Sequence, residues 1–404
     1  MTLPLSTAGA PRRRDASRTL VVAGLVHALH DGYTDLIYVL LPVWQAEFGL
    51  SYSLLALLRG LYAGAMALLQ VPAARLSERF GGRAILAAGT ILAALGYMLA
   101  GLSGGAIGLC ASLALSGAGS SAQHPIASAA VSRAYGGAAA RGPIGTYNFS
   151  GDLGKAALPA LTALLVTLTP WRHALWLIGV LGLIAAAAIA FMPAIRSTGG
   201  ETSTSSQGGV EVRGGFALLC FIGSLDTAAR MGFLTFLPFM LQSKGATLPT
   251  IGAAFTAVFI GGALGKFACG WLGARLGVTR TVLLTEGATV VLIFAAMALP
   301  LAPSLFLLPV VGVALNGTSS VLYGAVPELS PAGRVENAFA VFYTAVIGAG
   351  ALAPVLFGVV GDAGGWGWGM ACAGGTALLT LPAALMLGGT IATISKPAAP
   401  KSRQ

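Results

Sequence analysis

The chain has 404 residues, of which 56% are hydrophobic and only 9% charged, with a mean hydropathy of +0.83 and a formal net charge of +10. A water-soluble domain carries about a quarter charged residues, so this composition excludes a soluble globular enzyme, and its hydrophobicity excludes a disordered chain. The 57 glycines follow no collagen-like period; they suit closely packed membrane helices, which use small residues at their contacts.

A helix needs about 20 mostly apolar residues to cross the bilayer. In chain order such runs fall at 19–42, 53–74, 83–103, 106–131, 143–168, 173–193, 215–241, 249–273, 280–301, 304–327, 336–360 and 366–390. They are continuous rather than alternating apolar and polar, which makes a β-barrel a poor alternative. The first run carries Asp31 and Asp35 and eleven more follow, so it is not a cleaved signal peptide. The expectation is an all-α protein of twelve transmembrane helices. A basic N-terminal tail (1–18) leads into six spans (19–193). A Ser-, Thr- and Gly-rich linker (194–214) separates them from six more (215–390), and a C-terminal tail (391–404) ends the chain. Cys110, Cys220, Cys269 and Cys372 lie in apolar stretches without CxxC spacing, so neither a disulfide framework nor a zinc site is expected.

With the N-terminus inside, only Arg172 and Lys244 fall on the outer side, and Arg59, Lys155, Arg230 and Lys266 fall at membrane depth. Every other Lys and Arg lies inside. That bias predicts cytoplasmic termini and an even number of spans, and it accounts for the basic charge without nucleic acid.

The two groups of six align at an offset of 196 residues: Pro42 with Pro238, Gly49 with Gly245, Arg79 with Arg275, Gly81 with Gly277. The loop segments AARLSERFGGR (73–83) and CGWLGARLGVTR (269–280) occupy equivalent places. They resemble the G-x-L-A-D-R-x-G-R-R signature of the major facilitator superfamily, whose parallel six-helix repeats are related by an axis along the membrane normal. Glu78 stands at the Asp of the signature, and Ala274 stands there in the second copy. The resemblance implies two six-helix bundles with pseudo-two-fold symmetry, and a gating role for Glu78, Arg79 and Arg83.

A closer resemblance lies in the first half. His27 and Asp31 followed by Pro42, with Gly119, Ser120, Ser121, His124 and Pro125 in GSSAQHP, are similar to the fosmidomycin-resistance type of drug efflux protein. His30, Asp152 and Lys155 stand where that pattern has uncharged polar or small residues. The resemblance implies proton-driven export of a small polar or anionic molecule, an antibiotic or a metabolite, across a bacterial inner membrane. The implied cavity is formed by the first, fourth, seventh and tenth spans.

Ionisable groups in hydrocarbon cost at least about 2.5–3.5 kcal/mol, which marks them as functional candidates. In the first span His27, Asp31, Thr34, Asp35 and Tyr38 share one helix face, with His30 on its edge. His27, Asp31, Asp35 and His124 form the expected proton-coupling group, since neighbouring His and carboxylate groups can exchange a proton. Asp31, near mid-membrane, is the first choice. Pro125 directly after His124 predicts a broken helix beside an aqueous pocket. Expected substrate contacts are His30, Tyr38, Arg59, His124, Asp152, Lys155, Asp226, Arg230, Asn316 and Tyr323. Asp226 and Arg230 read either as a self-neutralising pair or as a binding pair, and the repeat offset turns both toward the cavity. Asp152 with Lys155, and Lys266 with Glu286, read as further pairs, and Arg59 is neutralised by Asp31 or Asp35. His27, His30, Asp31, Asp35 and His124 also read as an alternative divalent-metal site, since transition metals favour imidazole and carboxylate.

No G-x-x-x-x-G-K-[ST] loop is present and no room is left for a catalytic domain, which argues against an enzyme or an ATP-driven pump. The sequence thus predicts a monomeric secondary transporter without a cofactor, moving a small molecule through a lipid bilayer by proton antiport.

Overall fold

A computed structural model describes residues 13–193, 214–329 and 335–394; most of both tails and nearly all of the 194–214 linker lie outside the described residues. The chain runs α1 (Arg13–Phe48), α2 (Tyr52–Phe80), α3 (Gly82–Ala100), α4 (Ala106–Ser120) and α5 (Gln123–Tyr135). A short 3-10 turn (Gly137–Ala140) leads to α6 (Arg141–Leu168) and α7 (Trp171–Ile189). The second half holds α8 (Gly215–Ser243), α9 (Leu248–Leu276), α10 (Val278–Ala298), α11 (Leu301–Leu329), α12 (Val335–Gly364) and α13 (Trp366–Ile394). The described residues contain no strand.

Ten of these helices are long and apolar enough to cross a membrane. The other two crossings carry the motifs. His27, His30, Asp31 and Asp35 lower the hydropathy of α1. The fourth crossing is split into α4 and α5 at Ser121 and Ala122, one turn before Pro125. Twelve crossings result, and the predicted break in GSSAQHP is present.

The repeat is visible in the backbone. Helices α2 and α9 begin and end 196 residues apart, and α6 and α12 end 196 apart. Gly81 and Gly277 cap α2 and α9 at φ +89° and +80°, a region closed to most side chains, and so turn the chain into α3 and α10. Pro42 and Pro238 both sit inside their helices. The halves meet along two seams that the repeat exchanges: α2 against α12, and α6 against α9.

Small residues set the closest approaches. A Cβ on Gly154 of α6 would strike the Ala28 carbonyl of α1, and one on Gly312 of α11 would strike the Val258 carbonyl of α9. Such contacts let helices associate in lipid, where apolar burial alone gives little drive. Leu68, Ile107, Phe191 and Phe306 are exposed on the outer surface, as lipid contact requires.

The apolar core is not symmetric between the two faces. One cluster joins both halves toward the face holding the α1–α2 turn, through Tyr38, Leu41, Trp44, Leu55, Phe236, Leu237 and Phe255. Toward the face where α1 begins and α13 ends, the core separates. Val22, Leu86, Ile126 and Tyr147 pack within the first half, and Leu219, Val282, Leu322 and Phe342 within the second. The bundles are therefore sealed on the turn face and parted on the termini face.

Polar contacts reinforce the sealed face. Asp362, in the last turn of α12, accepts from the Tyr52 N–H at 2.5 Å, the Ser53 N–H at 3.3 Å and the Ser53 hydroxyl at 2.5 Å. It thus satisfies otherwise orphaned donors at the N-terminus of α2, where negative charge is favoured. Within the first bundle, Glu47 binds Arg172 at 2.6 Å and accepts from Trp171 Nε1 at 3.2 Å, which holds its carboxyl below the usual range. Lys244 reaches the Ala296 and Leu299 carbonyls at the end of α10, and burial lowers its proton affinity.

Candidate functional site

A cavity of about 170 Å³ lies between the halves, at the level where the shared core ends. The first half lines it with Asp31, Thr34, Asp35, Arg59, Met66, His124, Asp152 and Lys155. The second half contributes Arg230, Met231, Leu234, Phe259, Gly262, Ala263, Lys266 and Asn316.

Asp31 is the hub. Its Oδ1 lies 3.3 Å from His27 Nε2 and 3.6 Å from His124 Nε2, and its Oδ2 lies 3.2 Å from Lys155 Nζ. The approach of α6 makes this possible, because a Cβ on Gly151 would collide with both Asp31 and His27. His27 is held from behind. Its ring stacks on Tyr147 at 4.1 Å, and its Nδ1 lies 2.8 Å from the Tyr147 carbonyl. A carbonyl only accepts, so Nδ1 carries a proton. His27 Nε2 then faces the Asp31 carboxyl. His27 does not line the cavity. His124, at the start of α5, has 39% of its side chain exposed and does.

The predicted pairings are corrected by interhelical contacts. Asp152 and Lys155 do not pair with each other. Lys155 turns to Asp31, and Asp152 binds Lys266 at 2.6 Å across the α6–α9 seam. Lys266 is thereby taken from Glu286, which lies buried behind the cavity with Thr318 as its donor at 2.7 Å. Asp226 and Arg230 form no salt bridge. Arg230 donates to Asn316 and Thr227, both at 3.4 Å, whereas Asp226 accepts from Ser319 at 3.2 Å and faces into its own bundle. Arg59 makes no direct salt bridge with Asp31 or Asp35. Its guanidinium lies 5.4 Å from the Tyr38 ring centroid, and its charge is felt by Asp35.

Besides Asp226, three expected substrate contacts lie outside the cavity wall. His30 is buried, with Nδ1 at 3.0 Å from Ser120 Oγ and Nε2 at 3.1 Å from Thr90 Oγ1, so both ring nitrogens are committed to packing α1 on α3 and α4. Tyr323 packs with Phe342 and Tyr343 at 5.1 and 5.0 Å. Tyr38 is fully buried, with its hydroxyl on Met231 and its ring stacked on Phe255. The α1 stripe is thus divided: Asp31, Thr34 and Asp35 face the cavity, while His27, His30 and Tyr38 are covered. Asn316 is in the cavity wall as expected.

The five-residue metal set is not assembled, because His30 points away. Only His27, Asp31 and His124 bring ligand atoms within 4.8 Å of one another. The Lys155 ammonium already neutralises Asp31 there, which disfavours a second cation.

The signature loop closes the α2–α3 turn. Arg83 donates to the Met192 carbonyl at 3.0 Å, within its own half, and the Arg79 guanidinium lies 5.3 Å from the Phe80 ring centroid. Glu78 lies in the last turn of α2.

Sequence reading missed the apolar wall of Met66, Met231, Leu234 and Phe259, and it missed the partner of Lys266. Apolar residues inside apolar helices give no signal of which surface they face. The charge of Lys266 at membrane depth was visible, but Asp152 lies 114 positions away.

Residues 23–218 and 219–403 each match the family model of the Major Facilitator Superfamily. The chain belongs to that superfamily. It is a multi-pass membrane transporter of the secondary class, not an enzyme, and its substrate is a small molecule. Among solved structures it is similar to a bacterial homolog of the human lysosomal transporter Spinster, in an inward-facing and occupied conformation. That match has a TM-score of 0.79 and 16% identity, covering 96% of this chain and 99% of that one. It is also similar to the peptide transporter POT in complex with sulfate (TM-score 0.74, 13% identity, 96% and 99% covered). A third likeness is to the nucleoside transporter NupG (TM-score 0.72, 12% identity, 94% and 100% covered). At these identities the likeness establishes the fold. No curated protein matches the chain.

Proposed function

We propose that this transporter exports a small anionic molecule, an antibiotic or a metabolite, across a bacterial cytoplasmic membrane by alternating access coupled to protons. Residues 19–193 and 215–390 serve as the two rocking bundles, the 194–214 linker and both termini are cytoplasmic, and the protein works as a monomer. The observation that carries the reading is the placement of cations on both sides of one cavity. Arg59 and Lys155 come from the first bundle, and Arg230 and Lys266 from the second. The Nε atoms of Arg59 and Arg230 are buried without a hydrogen-bond partner. A carboxylate, phosphonate or similar oxyanion supplies the missing acceptors, and a planar guanidinium recognises it in a bidentate manner.

Protons enter through the Asp31 group. A proton taken up by the group of His27, Asp31 and His124, the last at the cavity edge, alters how strongly Asp31 holds Lys155. Proton occupancy of the group sets how much of the Lys155 charge is available to the cavity. Substrate affinity is thereby linked to proton occupancy. Asp35, one turn further along α1, tunes the same charge balance. Glu78, Arg79 and Arg83 gate the termini face. Positive-inside loops support the orientation.

The test is a panel of small carboxylates and phosphonates, beside cationic compounds, in proteoliposomes under an imposed pH gradient. Accumulation of an anion is expected. Asp31→Asn is expected to abolish gradient-driven accumulation while equilibrium exchange persists. An Asp31→Asn protein that still concentrates substrate would overturn the proton assignment, and transport restricted to cations would overturn the substrate class.

A further inference from the structure

The cavity wall is of two kinds, cationic and apolar. Met66, Met231, Leu234 and Phe259 line the same space as Arg59 and Arg230. Leu234 and Phe259 are 3% and 7% exposed and belong to the apolar core shared by the two halves, and Met66 and Met231 pack against that core. The apolar wall is thus the inner end of the sealed face, held in place by the same packing.

The two kinds of residue interleave on the same helices. On α8, Met231 follows Arg230 directly, and Leu234 lies one turn further on, about 6 Å along the axis. On α2, Met66 lies two turns from Arg59 and shares its face. Phe259 adds a ring from α9. A group held by either guanidinium therefore brings its next few atoms against thioether, alkyl and ring carbon. Water in that part of the cavity finds few partners, and a ligand carbon displaces it favourably.

Charge defines the head group. Of the four cations in the wall, Lys155 is paired with Asp31 and Lys266 with Asp152. Neither Arg59 nor Arg230 forms a salt bridge among the described residues. Arg230 donates to Asn316 and Thr227, which are neutral and so fix its guanidinium without cancelling its charge. Arg59 is 7% exposed and lies against the Tyr38 ring. The Nε of each arginine is buried without an acceptor. Asp35 is the third carboxylate of the wall. Four cations against three carboxylates leave one positive charge even with Asp35 ionised. A single negative charge completes the balance, whereas a dianion adds an unpaired charge to a buried site.

Volume defines the body. The cavity measures about 170 Å³, and an apolar cavity of about 150 Å³ holds benzene. The scale is that of one ring, or of a branched chain of like size.

We propose that the transported anion is a small hydrophobic monocarboxylate, with its carboxylate on Arg59 and Arg230 and its apolar body on Met66, Met231, Leu234 and Phe259. This rests on the anion reading above and narrows it, since inorganic anions, short acids and dianions match only part of the wall.

Calorimetric titration of the full chain in detergent, without a pH gradient, tests the assignment. The probes are benzoate, acetate, phenylphosphonate, benzyl alcohol and benzylammonium, at a mildly alkaline pH where phenylphosphonate is a dianion. Benzoate is expected to bind at least about tenfold more tightly than acetate, which lacks the body. It should also bind more tightly than phenylphosphonate, which keeps the ring and carries a second charge, and than the alcohol and the amine, which keep the ring and lack the anion. Phe259→Ala should reduce the ratio of benzoate to acetate affinity; if that variant does not fold, the probe series on the unchanged protein decides alone. Acetate or phenylphosphonate binding as tightly as benzoate, or a folded Phe259→Ala protein with an unchanged ratio, would overturn this inference and leave the anion reading standing. Benzyl alcohol or benzylammonium equal to benzoate would overturn the anion reading, and this inference with it.

Discussion

Asp31 shows how a carboxylate is kept charged inside a membrane protein. It has an ammonium on one oxygen and two imidazoles on the other, and only Lys155 is an unconditional cation. Removing one partner of a buried pair leaves the other uncompensated, at a cost of about 3–5 kcal/mol. Lys155→Met should therefore lower thermal stability sharply in detergent, and Lys155→Met with Asp31→Asn should recover much of the loss. If the double variant is no more stable than the single one, the pair is not the source of the effect. Arg230 offers a second prediction at this scale. Lys cannot reproduce its forked donors, so Arg230→Lys should weaken binding of an oxyanion about tenfold or more, or about 1.4 kcal/mol, with little change in melting temperature. Equal affinity in calorimetric titration would remove Arg230 from the substrate site.

Among the elements, α1 and α6 determine whether the Asp31 group assembles. Gly154 allows the two backbones to touch, and Lys155 follows it directly on α6. Overpacking a tight contact costs about 1–3 kcal/mol. Gly154→Val should destabilise the protein and separate Lys155 from Asp31, whereas Gly145→Val on the same helix meets nothing within 4 Å and should be nearly neutral. Melting curves of the two variants, side by side, check this, and similar losses in both would point to helix propensity instead. The helices themselves were legible from apolar run length, and the break at GSSAQHP from Pro125. The repeat offset even gave the shared ends of α2 and α9. Side-chain partners were legible only within one helix turn. The His27–Asp31 contact was found because it is local, while Asp31–Lys155 and Asp152–Lys266 depend on which helices adjoin. His30 was misplaced for a related reason: its position at the edge of the polar stripe does not show that α3 and α4 cover it.

At the scale of the whole molecule, a shared apolar core joins the two halves on one face only. Asp362 links α12 to the first turn of α2 and has no counterpart at the other seam, where the offset places Val166. Asp362→Ala should loosen the turn face and shift the conformational equilibrium toward opening there. Reagent accessibility of single cysteines placed near Ser53 and Gly358, compared with and without Asp362, measures the shift. Unchanged accessibility would mean that the apolar seal alone sets the balance.

The seal has a thermal consequence. Opening the turn face exposes Tyr38, Phe236, Leu237 and Phe255 to water, while the termini-face helix ends that would close instead carry Arg75, Arg79, Arg133 and Arg275. The two end states therefore differ in hydrated apolar area, and so in heat capacity. Apolar association weakens on cooling. Chilling the protein should thus populate the state open at the turn face, and a van 't Hoff plot of the conformational equilibrium should be curved rather than straight. The transporter would then carry a temperature sense that arises from its lopsided core, without any dedicated sensing element.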